Sequence, residues 1–228
     1  GQQLSRVERG VAIQNSLNAM DNALIESIKS NPDRVSSLFL LFNLTLLPDD
    51  IVNHIEHLNP TLLSHEWEDV NALYEKTKEM CAVRCKAKRM IDENGAAFDF
   101  TSKDINGNEF TLSSLRGKWV VLDFWGSWCG PCMRGVPMMK RYYDRYRSNI
   151  EIVGIACNDK QEQWRKAVEK NEMSWINIFH DEDTLPANSI MMNYAVANFP
   201  TKVIITPEGC LHKVFVGETE DFYTEIDA

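Results

Sequence analysis

The stretch that decides the fold reads Trp119-Val120-Val121-Leu122-Asp123-Phe124-Trp125-Gly126-Ser127-Trp128-Cys129-Gly130-Pro131-Cys132. Its first seven residues form a nearly continuous apolar run, which is typical of a central β-strand covered on both faces. A helical pattern follows from about Pro131 to Arg147, and the glycine and proline at the junction permit a tight turn. The sequence therefore predicts a strand that turns sharply and passes into a helix at a pair of cysteines.

The segments after this unit predict a mixed sheet. A second apolar run, residues 150–156, follows the helix and completes a strand–helix–strand unit. Residues 161–170 have a helical pattern, and residues 175–178 form either a short strand or an extended loop. Two further apolar runs, 202–206 and 211–216, flank a Pro-Glu-Gly turn and predict an antiparallel hairpin.

The chain before this unit has two different patterns. Asn106-Gly107, flanked by alternating apolar residues, is a strong hairpin signal. Residues 1–90 instead place apolar residues three or four apart between Asn-Pro and Leu-Pro steps, which is typical of a series of short helices. We therefore predict an all-α module of four or five helices in residues 1–90 and an α/β domain in residues 91–228.

Composition excludes some classes of partner and scaffold. The 228 residues include 24 Lys and Arg against 33 Asp and Glu, a formal net charge of −9. This balance argues against nucleic acid or an anionic membrane as the main partner, because both attract a positive surface. Six cysteines are too few for a disulfide scaffold of this length. The sequence lacks an apolar signal segment at its start, so we expect a cytosolic protein or one whose targeting segment was removed before Gly1.

The cysteine pair at the strand–helix junction is the strongest chemical signal. Cys129 and Cys132 could be half of a zinc site, but the sequence contains no second pair at matching spacing. The strand–helix setting favours redox chemistry instead. Cys129 precedes the first helical turn, where free backbone N–H groups stabilise the thiolate that attacks disulfides. Cys132, one turn further on, is placed to attack the mixed disulfide and release the product.

Asp123 stands inside the otherwise apolar strand, six residues before Cys129. Burial raises the pKa of a carboxyl group, because the charged form loses its solvation. We interpret Asp123 as a proton acceptor and donor for Cys132. The alternative is an aspartate at a strand edge that pairs with a lysine or is solvated.

The tripeptide Phe199-Pro200-Thr201 precedes a predicted buried strand. Proline is allowed at the first residue of such a strand or at a sheet edge. A cis Pro200 would leave the Phe199 backbone free to pair with an extended substrate strand. The sequence alone favours an ordinary trans proline, since cis bonds are a minority.

Together, the Trp-Cys-Gly-Pro-Cys motif, the aspartate six residues earlier and the Pro-Thr about seventy residues later resemble the thioredoxin fold. Additional features resemble the extracytoplasmic TlpA-like thiol–disulfide oxidoreductases, particularly the Bacteroides type with a helical N-terminal region. These features are the Asn-Gly hairpin, Leu115-Arg116-Gly117-Lys118, Pro137, Trp164 and Trp175. The resemblance covers about residues 92–228.

This resemblance implies a mixed central sheet flanked by helices, with an N-terminal β-hairpin, behind the all-α module. It implies that Cys129 is the exposed nucleophile, Cys132 resolves, Asp123 handles protons and Pro200 is cis. It also implies an extracytoplasmic protein whose leader is absent from this chain. One departure is Gly135, where many TlpA-like proteins carry a glutamate. Residues expected to contact the substrate are Trp128, Gly130, Pro131, Phe199 and Thr201.

The expected activity is reduction of disulfides in extracytoplasmic proteins, with a separate, membrane-bound thiol donor and no metal or organic cofactor. An oxidase or isomerase of the same fold is one alternative, because the direction depends on the reduction potential. Another is a copper(I)-binding or chaperone protein that uses Cys81 and Cys85 as soft ligands. A peroxiredoxin-type peroxidase is disfavoured, because Cys157 lacks the Thr/Ser-x-x-Cys setting of that family.

Overall fold

The structure, a computed structural model, describes residues 86–180 and 186–228 and scattered helical positions before residue 86. The chain divides into two units after Cys85, and the second unit, Lys86–Ala228, is the one described below. Most of the predicted helical module lies outside the described residues, as do Cys81 and Cys85. Residues 86–92 are helical, so the last predicted helix ends two residues later than expected.

A short hairpin precedes the main sheet. Its strands are β1 (Thr101–Lys103) and β2 (Glu109–Thr111), which pair antiparallel. The Asp104 carboxylate accepts the backbone N–H groups of Asn106 and Asn108 at 2.8 Å each. Gly107 adopts a φ of 86°, which glycine reaches without steric cost. The hairpin prediction is therefore confirmed, and the turn chemistry explains its position.

The main sheet has five strands in the order β5-β4-β3-β6-β7. Strands β3, β4 and β5 are parallel, whereas β6 and β7 are antiparallel additions on the other side of β3. Residues 175–178 were predicted as either a short strand or an extended loop. They belong to a strand, because residues 176–179 pair with β4. The strand bounds are β3 (Trp119–Trp125), β4 (Ile150–Ala156), β5 (Ile176–Phe179), β6 (Thr201–Ile205) and β7 (Leu211–Val216).

Besides the helical residues 86–92, four α-helices accompany the sheet in the described part of this unit. The two predicted helices are confirmed, α1 within one residue at each end. The two later helices were not predicted, since one has a single turn and the other is short. No helix in the described ranges is long and apolar enough to cross a membrane. The helix bounds are α1 (Gly130–Tyr146), α2 (Gln161–Lys170), α3 (Ile190–Asn193) and α4 (Glu220–Asp227).

The core forms two layers, one on each face of the sheet. Alternate residues of β3 point to opposite faces. Leu122 and the β3 residues two positions before and after it pack with the hairpin and α3. Val121 and Trp125 instead join the cluster that contains α1 and both cysteines. Asp123 has the same alternation as Val121 and Trp125. The acid therefore lies on the face that carries the cysteine pair.

Candidate active site

Cys129 and Cys132 form a disulfide at the start of α1, with an S–S distance of 2.03 Å and Cα atoms 5.3 Å apart. Cys129 is the N-cap, in extended conformation, and its Sγ atom accepts the Cys132 N–H at 3.3 Å. Pro131 occupies the first helical turn, where its missing N–H costs nothing. The predicted position of Cys129 at the positive end of the helix is thus confirmed.

Both cysteines are covered in this oxidised form. Cys129 is 4% exposed and Cys132 is 6% exposed, so the expectation of an exposed Cys129 is not met here. The reason is that the Cys129 Sγ atom is bonded to the buried Cys132 and turns toward the helix. Gly130, Pro131 and Arg134 are exposed next to the disulfide.

Two aromatic side chains, Trp128 and Phe199, form an aromatic rim beside the cysteines. Trp128 is 52% exposed, its ring meets the Phe199 ring edge-on at 5.4 Å, and its Nε1 donates to the Cys157 carbonyl at 3.3 Å. The Phe199–Pro200 peptide is cis, as the resemblance implied. Thr201 is buried, and its hydroxyl donates to the Asn198 carbonyl at 2.7 Å, which fixes the loop.

The turn before Cys129 is held by an acid that sequence reasoning missed. The Asp159 carboxylate accepts the Ser127 N–H at 2.5 Å and the Ser127 hydroxyl at 2.8 Å. Asp159 follows β4, the parallel neighbour of β3, so both loops leave the same edge of the sheet. An acid three residues after the second strand was the signal that could have found it.

Behind the disulfide, Asp123 shares a buried lysine with a second acid. Lys202, on β6, is 2% exposed and lies opposite Asp123 in the strand register. Its Nζ atom is 3.6 Å from Asp123 Oδ1 and 2.7 Å from Glu218 Oε2. The Tyr223 hydroxyl donates to the other oxygen of Glu218. Asp123 is therefore buried on the central strand and also faces a lysine, as the second alternative expected, and its role in proton transfer stays a prediction.

The charges of this cluster shift the pKa values of its members. Burial raises the pKa of Asp123, the charge of Glu218 raises it further, and Lys202 opposes both. Burial alone lowers the pKa of Lys202, but the two carboxylates outweigh it and the net shift is upward. Lys202 therefore stays protonated, while Asp123 holds its proton to a higher pH than a free aspartate.

The glycine that departs from the TlpA-like pattern adjoins this cluster. A Cβ atom at Gly135 would overlap the carboxyl group of Glu218, with Oε1 at 2.6 Å. Sequence reasoning missed Lys202 and Glu218. Lys202 had a signal similar to that of Asp123, since it is a charged residue in an otherwise apolar run, whereas Glu218 had none.

A cysteine pair that can close into a disulfide at a helix N-terminus is suited to exchange with other disulfides. On this mixed sheet, next to a cis-proline loop, it defines a thioredoxin-fold thiol–disulfide oxidoreductase. Within the described residues, no cluster of three or more His, Cys, Asp or Glu side chains could hold a metal ion.

The chain belongs to the AhpC/TSA family, whose model matches residues 93–214. It is 33% identical over 131 residues to the thiol-disulfide oxidoreductase ResA of Bacillus subtilis, covering 57% of this chain and 70% of ResA. These findings confirm the class of protein that the sequence resemblance indicated.

Solved structures agree with this assignment. A thiol:disulfide interchange protein from Bacteroides sp. is 25% identical with a TM-score of 0.52, covering 58% of this chain and 86% of that one. The thioredoxin domain of a thiol-disulfide oxidoreductase from Bacteroides vulgatus has a TM-score of 0.54 at 24% identity, covering 59% of this chain and 94% of that domain. The second likeness supports the fold alone.

Proposed function

We propose that this oxidoreductase works as a reductase of disulfides in other proteins. The observation that carries the proposal is the disulfide at the N-cap of α1, next to the aromatic rim. A protein substrate has apolar side chains for such a rim to contact. The Gly-Pro dipeptide between the cysteines resembles that of reductants in the thioredoxin family.

The exchange takes place in two steps. The Cys129 thiolate attacks one sulfur of the substrate disulfide, a Cys129–substrate bond forms, and the leaving substrate sulfur takes up a proton. The Cys132 thiol then loses its proton and attacks Cys129 Sγ. The mixed disulfide breaks, the second substrate thiol is released, and the enzyme keeps the disulfide.

The N-cap position supports Cys129 as the nucleophile. In the reduced protein its sulfur would still face the Cys132 N–H and the positive end of α1, both of which favour the thiolate. Cys132 lies inside the first turn and lacks that position. The exposure of the two residues does not distinguish them, so the proposal rests on this electrostatic argument.

Asp123 is proposed to take the proton of Cys132. It is the acid on the sheet face that packs against the cysteine helix, and its raised pKa makes it a better base than a free aspartate. A proton acceptor works best when its pKa is close to the pH at which the enzyme operates.

The substrate is proposed to lie across Trp128, Gly130, Pro131 and Phe199. Three of these residues are exposed beside the disulfide. The Phe199 backbone, in the loop before β6, is proposed to pair with an extended segment of the substrate. Thr201 supports this surface through its hydrogen bond inside the loop rather than by touching the substrate.

A separate thiol donor must return the enzyme to its reduced form, because each cycle ends with the enzyme disulfide. We place the protein outside the cytoplasm and the donor in the membrane, on the resemblance to extracytoplasmic TlpA-like proteins. Labelling of intact cells with a membrane-impermeant maleimide tests the location. Labelling of Cys129 in intact cells supports it, and labelling only after lysis contradicts it.

We also propose that residues 1–90 form a helical module separate from the catalytic domain, residues 91–228. Met90 and Ile91 pack against the core of the catalytic unit, so a truncated chain should begin at Lys86. Such a chain should keep its disulfide-exchange activity and melt cooperatively. A truncated chain that is unfolded would contradict the proposed division.

The reductase proposal is tested by trapping substrates with a Cys132→Ser variant. Without the second thiol, mixed disulfides with Cys129 should accumulate and be released by dithiothreitol. A Cys129→Ser/Cys132→Ser variant should trap nothing, and a Cys210→Ser variant, which alters a partly exposed thiol elsewhere, should behave as wild type. Absence of trapped proteins in the native compartment would contradict the proposal.

A further inference from the structure

Glu218 is an acid that the exchange reaction does not yet explain. It follows Gly217, whose φ of 87° turns the chain at the end of β7 and whose N–H donates to the Pro200 carbonyl at 2.8 Å. Its side chain is 22% exposed and reaches back toward the sheet, to Lys202. The Tyr223 hydroxyl, from α4, holds its second oxygen. Two partners thus fix a carboxylate beside the helix that carries the cysteines.

The packing of α1 leaves room for this carboxylate only because residue 135 is glycine. The carboxyl group of Glu218 occupies the place where a side chain at 135 would begin. Gly135 lies in α1, three residues after Cys132. In the middle of a helix glycine is less favourable than alanine by about 1 kcal/mol. The helix accepts this cost at the point where Glu218 approaches.

The two carboxylates compete for one ammonium group. Lys202 Nζ lies 2.7 Å from Glu218 but 3.6 Å from Asp123, which is longer than a hydrogen bond. Asp123 Oδ1 is buried and accepts no hydrogen bond from any residue that the structure describes. Lys202 is therefore committed first to Glu218, and Asp123 Oδ1 faces the same cation at a longer distance and without a hydrogen bond.

We propose that Glu218 is a positioning residue for disulfide exchange: it binds Lys202 beside Gly135 and so keeps that cation from neutralising Asp123, which remains able to accept a proton. This inference rests on the proposed function, because Asp123 must serve the cysteine pair. It adds a residue that acts through Lys202 and touches neither the substrate nor the sulfur atoms.

The consequence for the reaction is in the resolving step. The Cys132 S–H bond breaks, its proton passes to the Asp123 carboxylate, and the sulfur attacks Cys129 Sγ as the bond to the substrate breaks. A carboxylate paired closely with Lys202 would be a weaker base and would accept this proton less readily. Glu218 therefore favours the step by occupying Lys202.

The ionisable groups around Asp123 set the direction in which each variant shifts its pKa. Lys202 faces it from β6, Glu218 from the segment after β7 and Tyr223 from α4, with Tyr142 of α1 in ring contact with Tyr223 at 4.9 Å. Removal of the negative charge in Glu218→Gln should lower the pKa of Asp123, and removal of the cation in Lys202→Met should raise it.

The experiment measures the Asp123 carboxyl titration by carbon NMR in the reduced full chain, together with the pH profile of single-turnover disulfide reduction. Glu218→Gln should move both toward lower pH by about one unit, the shift that one nearby charge produces. Lys202→Met should move both toward higher pH. Glu225→Gln is the matched control, since it removes a charge on α4 that binds only His212 and Lys213 among the described residues.

A second variant keeps the inference testable if Glu218→Gln does not fold. Gly135→Ala favours the helix but occupies the place of the Glu218 carboxyl group. The atoms in the way are the end of a flexible side chain, so they should move rather than the helix. The NMR titration of Asp123 should then shift in the same direction as in Glu218→Gln.

Unchanged titration of Asp123 in both Glu218→Gln and Gly135→Ala would overturn this inference. So would a uniform loss of rate at every pH without any shift, because that is the result of a structural role alone. Neither result affects the reductase proposal, which fails separately if Cys132→Ser traps no substrate.

Discussion

At the scale of the residue, the burial of one acid favours its uptake of a proton but lowers the stability of the fold when the acid is ionised. Asp123 lies on the central strand among apolar neighbours, where its charged form is poorly solvated. Burial raises its pKa above the ordinary value, and the charge of Glu218 adds to this effect. The same shift that suits Asp123 to accept a proton makes the folded protein less stable whenever Asp123 is ionised.

We predict that Asp123→Asn stabilises the protein at neutral and alkaline pH. Because the folded pKa is raised, the stability that the protonated acid provides is complete below the unfolded pKa. It is lost as pH rises through the folded value. The variant should therefore melt at a higher temperature than wild type at pH 8, by about 2–4 °C for each kcal/mol, with little difference at pH 3. Calorimetry between pH 3 and pH 8 measures the effect. A variant less stable than wild type at pH 8 would show that the ionised acid does not destabilise the fold.

A second prediction concerns Trp128. The side chain is half exposed, packs on Phe199 and should supply apolar contact to protein substrates. Trp128→Ala should raise KM for a protein substrate roughly tenfold or more, as the loss of an aromatic contact at an interface does. The rate of reduction of a small disulfide, such as glutathione disulfide, should change little. Trp119→Ala is the control, because Trp119 is an exposed tryptophan at the other end of β3. Equal effects on both substrates would place Trp128 in the structure of the site rather than in substrate contact.

At the scale of the element, the cysteines depend on how two loops meet at one edge of the sheet. Strands β3 and β4 are parallel neighbours, so the loops that follow them are adjacent. Asp159, after β4, holds the turn after β3 by accepting two hydrogen bonds from Ser127. The position of Cys129 is thus set by a residue thirty positions away in the chain.

We predict that Asp159→Ala lowers kcat/KM for disulfide reduction roughly tenfold, because a small displacement of reacting atoms has a large effect on rate. Stability should fall by about 1–2 kcal/mol, since the carboxylate loses its two hydrogen bonds from Ser127 and a third from the Lys160 N–H. Asp159→Asn, which keeps one acceptor oxygen, should recover part of both. Glu162→Ala removes a surface acid paired only to Lys166 among the described residues and serves as control. Wild-type rates in Asp159→Ala would mean that Ser127 is held by the rest of the turn.

At the scale of the whole molecule, the redox state of one bond should influence the stability of the catalytic unit. The disulfide closes a loop of four residues, and the chain-entropy argument gives such a cross-link about 2 kcal/mol. A reductase gains most when its own oxidised form is the more stable one, because electrons then flow to the substrate. An oxidant requires the reverse, a reduced form that is the more stable.

We predict that the oxidised protein melts at a higher temperature than the protein in dithiothreitol, by about 4–8 °C for 2 kcal/mol. Calorimetry at pH 7 with and without reductant measures the difference. The Cys129→Ser/Cys132→Ser variant should melt at one temperature in both buffers. A reduced form that is more stable than the oxidised one would favour the oxidase alternative over the reductase.

The sequence by itself determined the local features of this protein. The apolar runs of β3 and β4, the Asn-Gly hairpin and the cysteine pair at a strand–helix junction are patterns over short segments, and propensity and alternation are local properties. Asp123 stood out for the same reason, as a charge within an apolar run. The resemblance also anticipated the cis peptide before Pro200.

Only the tertiary structure decided which distant residues lie around Asp123 and the turn before Cys129. Lys202, Glu218 and Asp159 are brought to the site by strand register and by the turn after β7, and neither depends on local sequence pattern. Gly135 looked like a missing glutamate until the structure placed Glu218 against it. The physical reason is that burial and charge pairing depend on what packs around a residue in space, and only the closed fold brings those neighbours together.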